Sequence, residues 1–226
     1  MNDKELVAIR AARHVQDGMT VGLGTGSTAN FFIQELARRH KEEGLRVTAA
    51  ASSVVSTIKA QALGLPLVAL EHLGRLDLYV DGADEVTPQM ALLKGRGYDL
   101  VREKLLARGS DRFIVLVDKS KLVSHIGEKF PIPVEVMPFA WQLVKNRLQA
   151  LGGQAELRQN AAKDGLAITS YGSLVLDLTF DAPVDSAALN QQLNDIPGIA
   201  EHGIFQDIAS AVFIADNGNV EEIWKK

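Results

Sequence analysis

Apolar residues recur at helical spacing over residues 3–15, 28–43, 54–63 and 98–108. Each stretch is expected to form a helix that buries one face. Between them lie short apolar runs, Met19–Leu23, Leu45–Ala51, Leu67–Leu70, Leu76–Val80 and Arg112–Val117. These read as strands. Helices alternating with short apolar strands predict a mostly parallel sheet covered on both faces.

The pattern changes near Gly127. Phe130-Pro131-Ile132-Pro133-Val134-Glu135-Val136 is extended and punctuated by prolines. A helix over 138–150, two or three strands between 153 and 180, a helix over 186–194 and a strand over 199–204 follow. Strand–helix–strand–strand–helix–strand is the order of a ferredoxin-like unit. Ser210–Ala215 returns to the strand character of the first half. The expected organisation is an α/β domain of residues 1–126 plus 207–226, with residues 127–206 inserted as a small α+β domain.

Composition narrows the function. With 226 residues, 46% of them apolar, the chain can bury a substantial core. A formal net charge of −4 leaves no basic footprint for nucleic acid and disfavours an anionic membrane surface. Any anionic ligand must then be held by a local arrangement of donors. Cysteine is absent. That excludes disulfides, thiolate metal sites and a cysteine nucleophile, and it fits a reducing compartment. Residues 1–6 carry no basic-then-apolar leader pattern, and no apolar run approaches bilayer-spanning length. The cytoplasm is the expected address.

Gly22-Leu23-Gly24-Thr25-Gly26-Ser27-Thr28 lies between a strand and a helix. The glycines permit close backbone approach, and Thr25, Ser27 and Thr28 add hydroxyl groups. The next helix would aim free N–H groups and a partial positive charge at the loop, a cradle suited to phosphate. A nucleotide P-loop would need a lysine before the last hydroxyl residue, and there is none. A dinucleotide fingerprint needs a different glycine spacing and an acidic residue where this chain has Ala51-Ser52-Ser53. A tight turn with a serine or threonine helix cap explains the same residues without any ligand.

Asp81-Gly82-Ala83-Asp84-Glu85 follows a buried strand directly. The carboxyl ends of strands are where open α/β sheets bind ligands. Asp81 and Asp84 are placed to accept from sugar hydroxyls, to cap the next segment, or to hold magnesium. Glu85 reads as a solvated charge. Lys94-Gly95-Arg96-Gly97 offers an ammonium and backbone N–H groups for an oxyanion, or is an ordinary loop with a solvated lysine. On the following helix Tyr98, Val101 and Leu105 share a stripe. Glu103 falls nearly opposite, so periodicity makes it solvent-facing. The five histidines, His14, His40, His72, His125 and His202, are dispersed and show no paired-ligand spacing.

Taken in order, these segments resemble ribose-5-phosphate isomerase type A over nearly the whole chain. The resemblance rests on residues 22–28, 81–85 and 94–95, and on Arg102-Glu103-Lys104 and Asp118-Lys119-Ser120-Lys121. It continues in Pro133-Val134-Glu135-Val136, Pro197-Gly198-Ile199 and Gly203-Ile204-Phe205. It implies a Rossmann-like catalytic domain with a ferredoxin-like lid, a sugar-phosphate substrate, no cofactor, no metal, and a homodimer or homotetramer.

By the same resemblance, Glu103 is the proton acceptor, and Asp81, Asp84 and Lys94 complete the catalytic set. Thr25, Gly26, Ser27 and Thr28 form one substrate loop, Gly82 and Ala83 lie in a second, and Gly95, Arg96 and Gly97 belong to a third. Lys121 and Lys4 are further contacts. The reaction implied is the interconversion of ribose 5-phosphate and ribulose 5-phosphate through an enediolate. The rivals are a non-catalytic sugar-phosphate sensor and a same-fold enzyme such as an amino-sugar phosphate deaminase.

Two segments depart from the family pattern. Lys94-Gly95-Arg96-Gly97-Tyr98 stands where the family has Lys-Gly-Gly-Gly-Ala, which raises the expectation of strain at Arg96 if its φ is positive. Thr169-Ser170-Tyr171-Gly172-Ser173 replaces a Thr-Asp-Asn-Gly-Asn turn.

Overall fold

The computed structural model describes residues 2–225, so Met1 and Lys226 lie outside the described residues. Contacts divide the chain into two compact units. The first comprises Met1–Ala83, Arg102–Lys121 and Ile208–Lys226, and the second Asp84–Val101 and Leu122–Asp207.

The first unit begins with α1 (Asp3–Ala12), β1 (Thr20–Leu23), α2 (Ser27–Glu42), β2 (Thr48–Ala51), α3 (Val54–Ala62) and β3 (Leu78–Gly82). Asn2 starts α1 by accepting the Glu5 N–H at 2.9 Å, which satisfies one of the orphan donors of a helix start. The chain then enters the second unit through β4 (Glu85–Val86) and β5 (Leu92–Leu93) and returns along α4 (Leu100–Arg108) to β6 (Phe113–Asp118). The second unit is completed by β7 (Ile132–Val136), α5 (Trp141–Ala150), β8 (Gln154–Leu157), β9 (Leu174–Thr179), α6 (Ser186–Asn194), β10 (Ile199–His202) and β11 (Ile204–Phe205). Finally β12 (Ala211–Asp216) and β13 (Asn219–Trp224) close the first unit.

In the first unit the six-stranded sheet has the order β13-β12-β6-β3-β1-β2. Every pairing is parallel except the terminal hairpin of β12 and β13. Val7, Ala8 and Ala11 of α1 and Phe32, Ile33 and Leu36 of α2 pack with Leu78, Val80, Ile114, Leu116 and Phe213 in one buried cluster. The chain leaves β1 towards β2 on one side, and β3 lies on the other. The carboxyl ends of β1 and β3 therefore flank a topological switch point, where an open α/β sheet leaves a crevice.

In the second unit, β7, β8, β9 and β10 make an antiparallel sheet of order β10-β7-β9-β8, with α5 and α6 in the connections, the arrangement expected of a ferredoxin-like chain. Val134, Val136, Leu176 and Leu178 meet Val144 and Leu148 of α5 and Leu189 and Leu193 of α6. No helix among the described residues is long and apolar enough to cross a membrane.

The structure departs from the sequence expectations in several places. Leu67–Leu70 is not a strand: Leu67 makes one isolated bridge to Ala49, and a 3₁₀ turn begins at Leu70. The strand expected over 199–204 is divided at Gly203, and the hairpin partner β13, and β4, β5 and a separate β11, are additions. The last three are two residues each and form a small sheet of order β11-β5-β4. Because β11 pairs with β5, Asp84–Val101 belongs with the second unit, which so extends beyond the 127–206 segment.

Glu85 is the clearest correction. It is 0% exposed rather than solvated. Its carboxylate accepts the backbone N–H groups of Gly127 at 2.7 Å, Lys129 at 2.6 Å and Phe130 at 2.9 Å. Three backbone donors replace the water that the charge would otherwise need. Glu85→Gln removes the acceptor for Gly127 and should destabilise the protein by about 1–3 kcal/mol. The check is a lower urea midpoint at unchanged m value, and a midpoint equal to wild type would contradict it.

Candidate active site

The crevice of the first unit is organised around Asp81, at the carboxyl end of β3 and 1% exposed. Its Oδ1 accepts the N–H groups of Thr25 at 3.1 Å and Gly82 at 2.7 Å. Its Oδ2 accepts the Tyr79 hydroxyl at 2.5 Å. Two glycines of the 22–28 loop make room for this arrangement. A Cβ on Gly22 would lie 2.7 Å from Cδ2 of Tyr79, and a Cβ on Gly24 would lie 2.1 Å from Oδ1 of Asp81. The close approach explains the glycines here better than conformational freedom does.

Tyr79 is fully buried and stacks on Phe113 with ring centroids 4.9 Å apart. Burial pushes its hydroxyl well above the ordinary tyrosine value, and the carboxylates of Asp81 and Glu103 push it further. Tyr79 therefore stays protonated and acts as a donor.

Glu103 contradicts its expected solvent-facing position. It is 5% exposed, whereas Leu105, expected to face inward, is 56% exposed. The helix begins only at Leu100, so Tyr98 does not belong to it. Its buried residues are Leu100, Glu103, Lys104, Leu106 and Ala107, each at most 5% exposed. Two of those five side chains are charged, so an apolar wheel misses part of the face. Arg102, next to Glu103, donates from Nη2 to the carbonyl of Ala51 at 3.0 Å, fastening α4 to the end of β2.

The 25–28 loop divides into an inward and an outward part. The Thr25 hydroxyl turns inward and lies 2.8 Å from Ser52 Oγ, 2.7 Å from Ser53 Oγ and 3.1 Å from Ser56 Oγ. Ser56 in turn donates to the Gly24 carbonyl at 2.7 Å, and the Ser53 side chain caps α3. These buried serines are structural partners of the loop that the sequence reading missed. The available signal was three serines within five residues at a strand-to-helix junction. Gly26 adopts φ of 108° and precedes α2, whose start has no side-chain cap. Gly26 and Ser27 are exposed, Thr28 is half-buried, and Lys4 Nζ reaches Ser27 Oγ at 3.0 Å. Lys121 ends the 3₁₀ turn after β6 and is half-buried.

The second unit carries the remaining residues. Asp84 donates its N–H to the Leu93 carbonyl at 2.8 Å. Lys94 is not solvated: it is 4% exposed, its N–H meets the Gly203 carbonyl at 2.9 Å, and Nζ lies 5.7 Å from the Phe205 ring centroid. Gly95 takes φ of 100°, and a Cβ there would come within 2.1 Å of Leu100. Positive φ next occurs at Tyr98, at 70°, and not at Arg96. The strain of roughly 1 kcal/mol or more thus falls two residues later than expected. Arg96 instead lies over the Phe130 ring, 4.3 Å from its centroid. Among the described residues, no group of three or more His, Asp or Glu side chains could hold a metal ion.

The first unit thus carries buried carboxylates and an uncapped helix start, and the second a buried lysine with a glycine turn. A sequence profile described as ribose 5-phosphate isomerase A (phosphoriboisomerase A) matches residues 48–219. Ribose-5-phosphate isomerase A of Thermosynechococcus vestitus is 44% identical over 214 residues, covering 94% of this chain and 91% of that protein. The structure of ribose 5-phosphate isomerase A from Methanocaldococcus jannaschii superposes with a TM-score of 0.93 at 40% identity, covering 99% of this chain and 98% of that one. A D-ribose-5-phosphate isomerase in complex with phospho-erythronic acid gives a TM-score of 0.95 at 37% identity, covering 100% of both chains. By sequence and by fold, the chain belongs to the ribose 5-phosphate isomerase A family of isomerases.

Proposed function

We propose that this chain interconverts ribose 5-phosphate and ribulose 5-phosphate through an enediolate, with Glu103 as the base. The observation that carries the proposal is a carboxylate held at 5% exposure on the inward face of a helix, with a charge that helps to keep the buried Tyr79 hydroxyl protonated. Moving a carbonyl between C2 and C1 requires a proton to leave C2 and return to C1. A single carboxylate performs both transfers if it first accepts the proton and then gives it back.

The other roles follow from the chemistry of each group. Asp81, held by the Thr25 and Gly82 N–H groups and the Tyr79 hydroxyl, and Asp84 orient the sugar hydroxyls. Lys94 and the amides of Gly95, Arg96 and Gly97 take the developing oxyanion. The phosphate end belongs to Gly26, Ser27 and Thr28 at the start of α2, with Lys4 and Lys121 adding charge and Gly82 and Ala83 lining the substrate loop beside Asp81. Thr25 shapes this substrate loop through the contacts of its hydroxyl with Ser52, Ser53 and Ser56. Anchoring the dianion away from the reacting carbons supplies binding energy for positioning.

Phospho-erythronic acid, the ligand of one relative, supports the enediolate. Its planar carboxylate imitates the two-oxygen anion of such an intermediate. A cytoplasmic setting in the non-oxidative pentose phosphate pathway, and a homodimer or homotetramer, complete the proposal. The absence of cysteine and the family membership support them.

Glu103→Gln keeps the size and polarity of the side chain and removes the basic oxygen. Turnover of ribose 5-phosphate should fall by roughly 100-fold or more, with binding retained. Near-normal kcat in a folded variant would remove Glu103 from the chemistry.

Arg96, packed on Phe130, should have little part in the rate. Arg96→Gly is expected to leave kcat within roughly tenfold of wild type, about 1.4 kcal/mol in barrier. A gain of several orders of magnitude would show that Arg96 suppresses turnover, and the sensor function would become the better description.

A further inference from the structure

We propose that Arg158 is a positioning residue, which sets the direction of the amide donors in the Lys94–Gly97 loop. The inference rests on the oxyanion-stabilising role proposed for that loop. Arg158 directly follows β8, and only 13% of its side chain is exposed. Its guanidinium is fixed on one side by Asp177 of β9. Nε lies 3.1 and 3.0 Å from the two carboxylate oxygens, and Nη2 lies 2.5 Å from Oδ1. This fork-on-fork pairing leaves little freedom of orientation and balances the charge.

The other side of the guanidinium faces the loop. Nη1 donates to the Gly95 carbonyl at 3.1 Å, and Cζ lies 5.6 Å from the Tyr98 ring centroid. Gly95 and Tyr98 are the two residues of the loop with positive φ, so one side chain touches both of its unusual backbone positions.

The consequence follows from peptide planarity. The Gly95 carbonyl and the Arg96 N–H belong to one trans peptide and point in opposite directions. Holding the oxygen towards Arg158 therefore turns the Arg96 N–H away from it. The direction of this donor is set by Arg158 and, through Arg158, by Asp177. A loop of this composition, with glycines on both sides of Arg96, has no such preference of its own.

The turn that departs from the family pattern reaches the same segment. Ser170 Oγ donates to Asp99 Oδ1 at 2.6 Å, and Thr169 Oγ1 donates to the buried Glu135 at 2.8 Å. Both segments that depart from the family pattern are thus tied together, one through Ser170 and the other through Asp99 beside Tyr98. Arg158 supplies the contact to the backbone itself.

The test compares Arg158→Met, Arg158→Lys and Arg158→Ala in the full chain. Arg158→Met keeps the length of the stem and removes the donors. Its kcat should fall at least tenfold, while KM for ribose 5-phosphate stays within about threefold because the phosphate is held elsewhere. Arg158→Lys retains the charge but not the fork, and should lose kcat as well. Low, non-denaturing guanidinium should restore part of the kcat of Arg158→Ala. A purely structural residue would lower the urea midpoint and leave the folded fraction's kcat unchanged. Wild-type kcat in Arg158→Met or Arg158→Lys, or a loss in Arg158→Ala that guanidinium does not restore, would overturn the proposal. Glu103→Gln measured alongside separates the two ideas. Its loss with Arg158 variants unaffected leaves the base assignment standing, and its normal turnover removes that assignment whatever Arg158 does.

Discussion

A carboxylate buried at the end of a parallel strand has to find its donors within the protein, and this requirement shapes the first unit. Asp81, 1% exposed, is satisfied by two backbone N–H groups and the Tyr79 hydroxyl. The Thr25 N–H reaches it only because the loop after β1 passes against it, and the loop passes there only because Gly24 has no side chain. Tyr79 reaches it by lying against Gly22 on the neighbouring strand. Leaving such a charge without partners costs several kcal/mol in an apolar interior, so the contacts act as a set. Glycine spacing and tyrosine placement both answer to one buried charge.

The proposed phosphate site in the same unit would let a chain of net charge −4 hold a dianion. The donors assigned to phosphate are mostly backbone amides at the uncapped start of α2, assisted by the Ser27 and Thr28 hydroxyls and Lys4. Amides in fixed positions cost no net charge and little side-chain entropy. Serines at the end of β2 and the start of α3 hold this loop from behind through Thr25. The phosphate loop and the acidic strand end are therefore one connected piece of structure, with Gly24 as the residue common to both.

How far this was legible depends on whether a side chain's role follows from its neighbours in sequence. The parallel sheet, the crossover helices and the inserted strand–helix order all appear as apolar periodicity, because burial of one face repeats every few residues. Asp81 was visible for the same reason, as a charge where an apolar strand ends. Strands of two residues, such as β4, β5 and β11, are too short to carry a period. Glu85 does not follow the rule that a charge marks solvent, and Glu103 lies opposite a stripe that includes Tyr98, which is outside the helix, and Leu105, which is exposed. The inward face of α4 carries Glu103 and Lys104, and Glu85 is buried against a turn more than forty residues away in the chain. Arg158, Ser52 and Ser56 act through contacts that only the fold creates, and no local pattern announces them. The strain expected at Arg96 was misplaced by two residues, since the path of the loop, not its composition, decides where φ turns positive.

The central claim is that a proton leaves C2, visits a protein carboxylate and returns at C1 by way of an enediolate. Isomerisation of ribose 5-phosphate in deuterated water, carried through many turnovers and followed by NMR of the ketose, tests it most directly. The account predicts deuterium at C1 of ribulose 5-phosphate, because the protonated carboxylate exchanges with solvent while the enediolate is bound and reversible turnover accumulates the label. Complete conversion with no deuterium at C1, the original hydrogen having moved intact from C2, would mean an internal hydride transfer and would contradict the account.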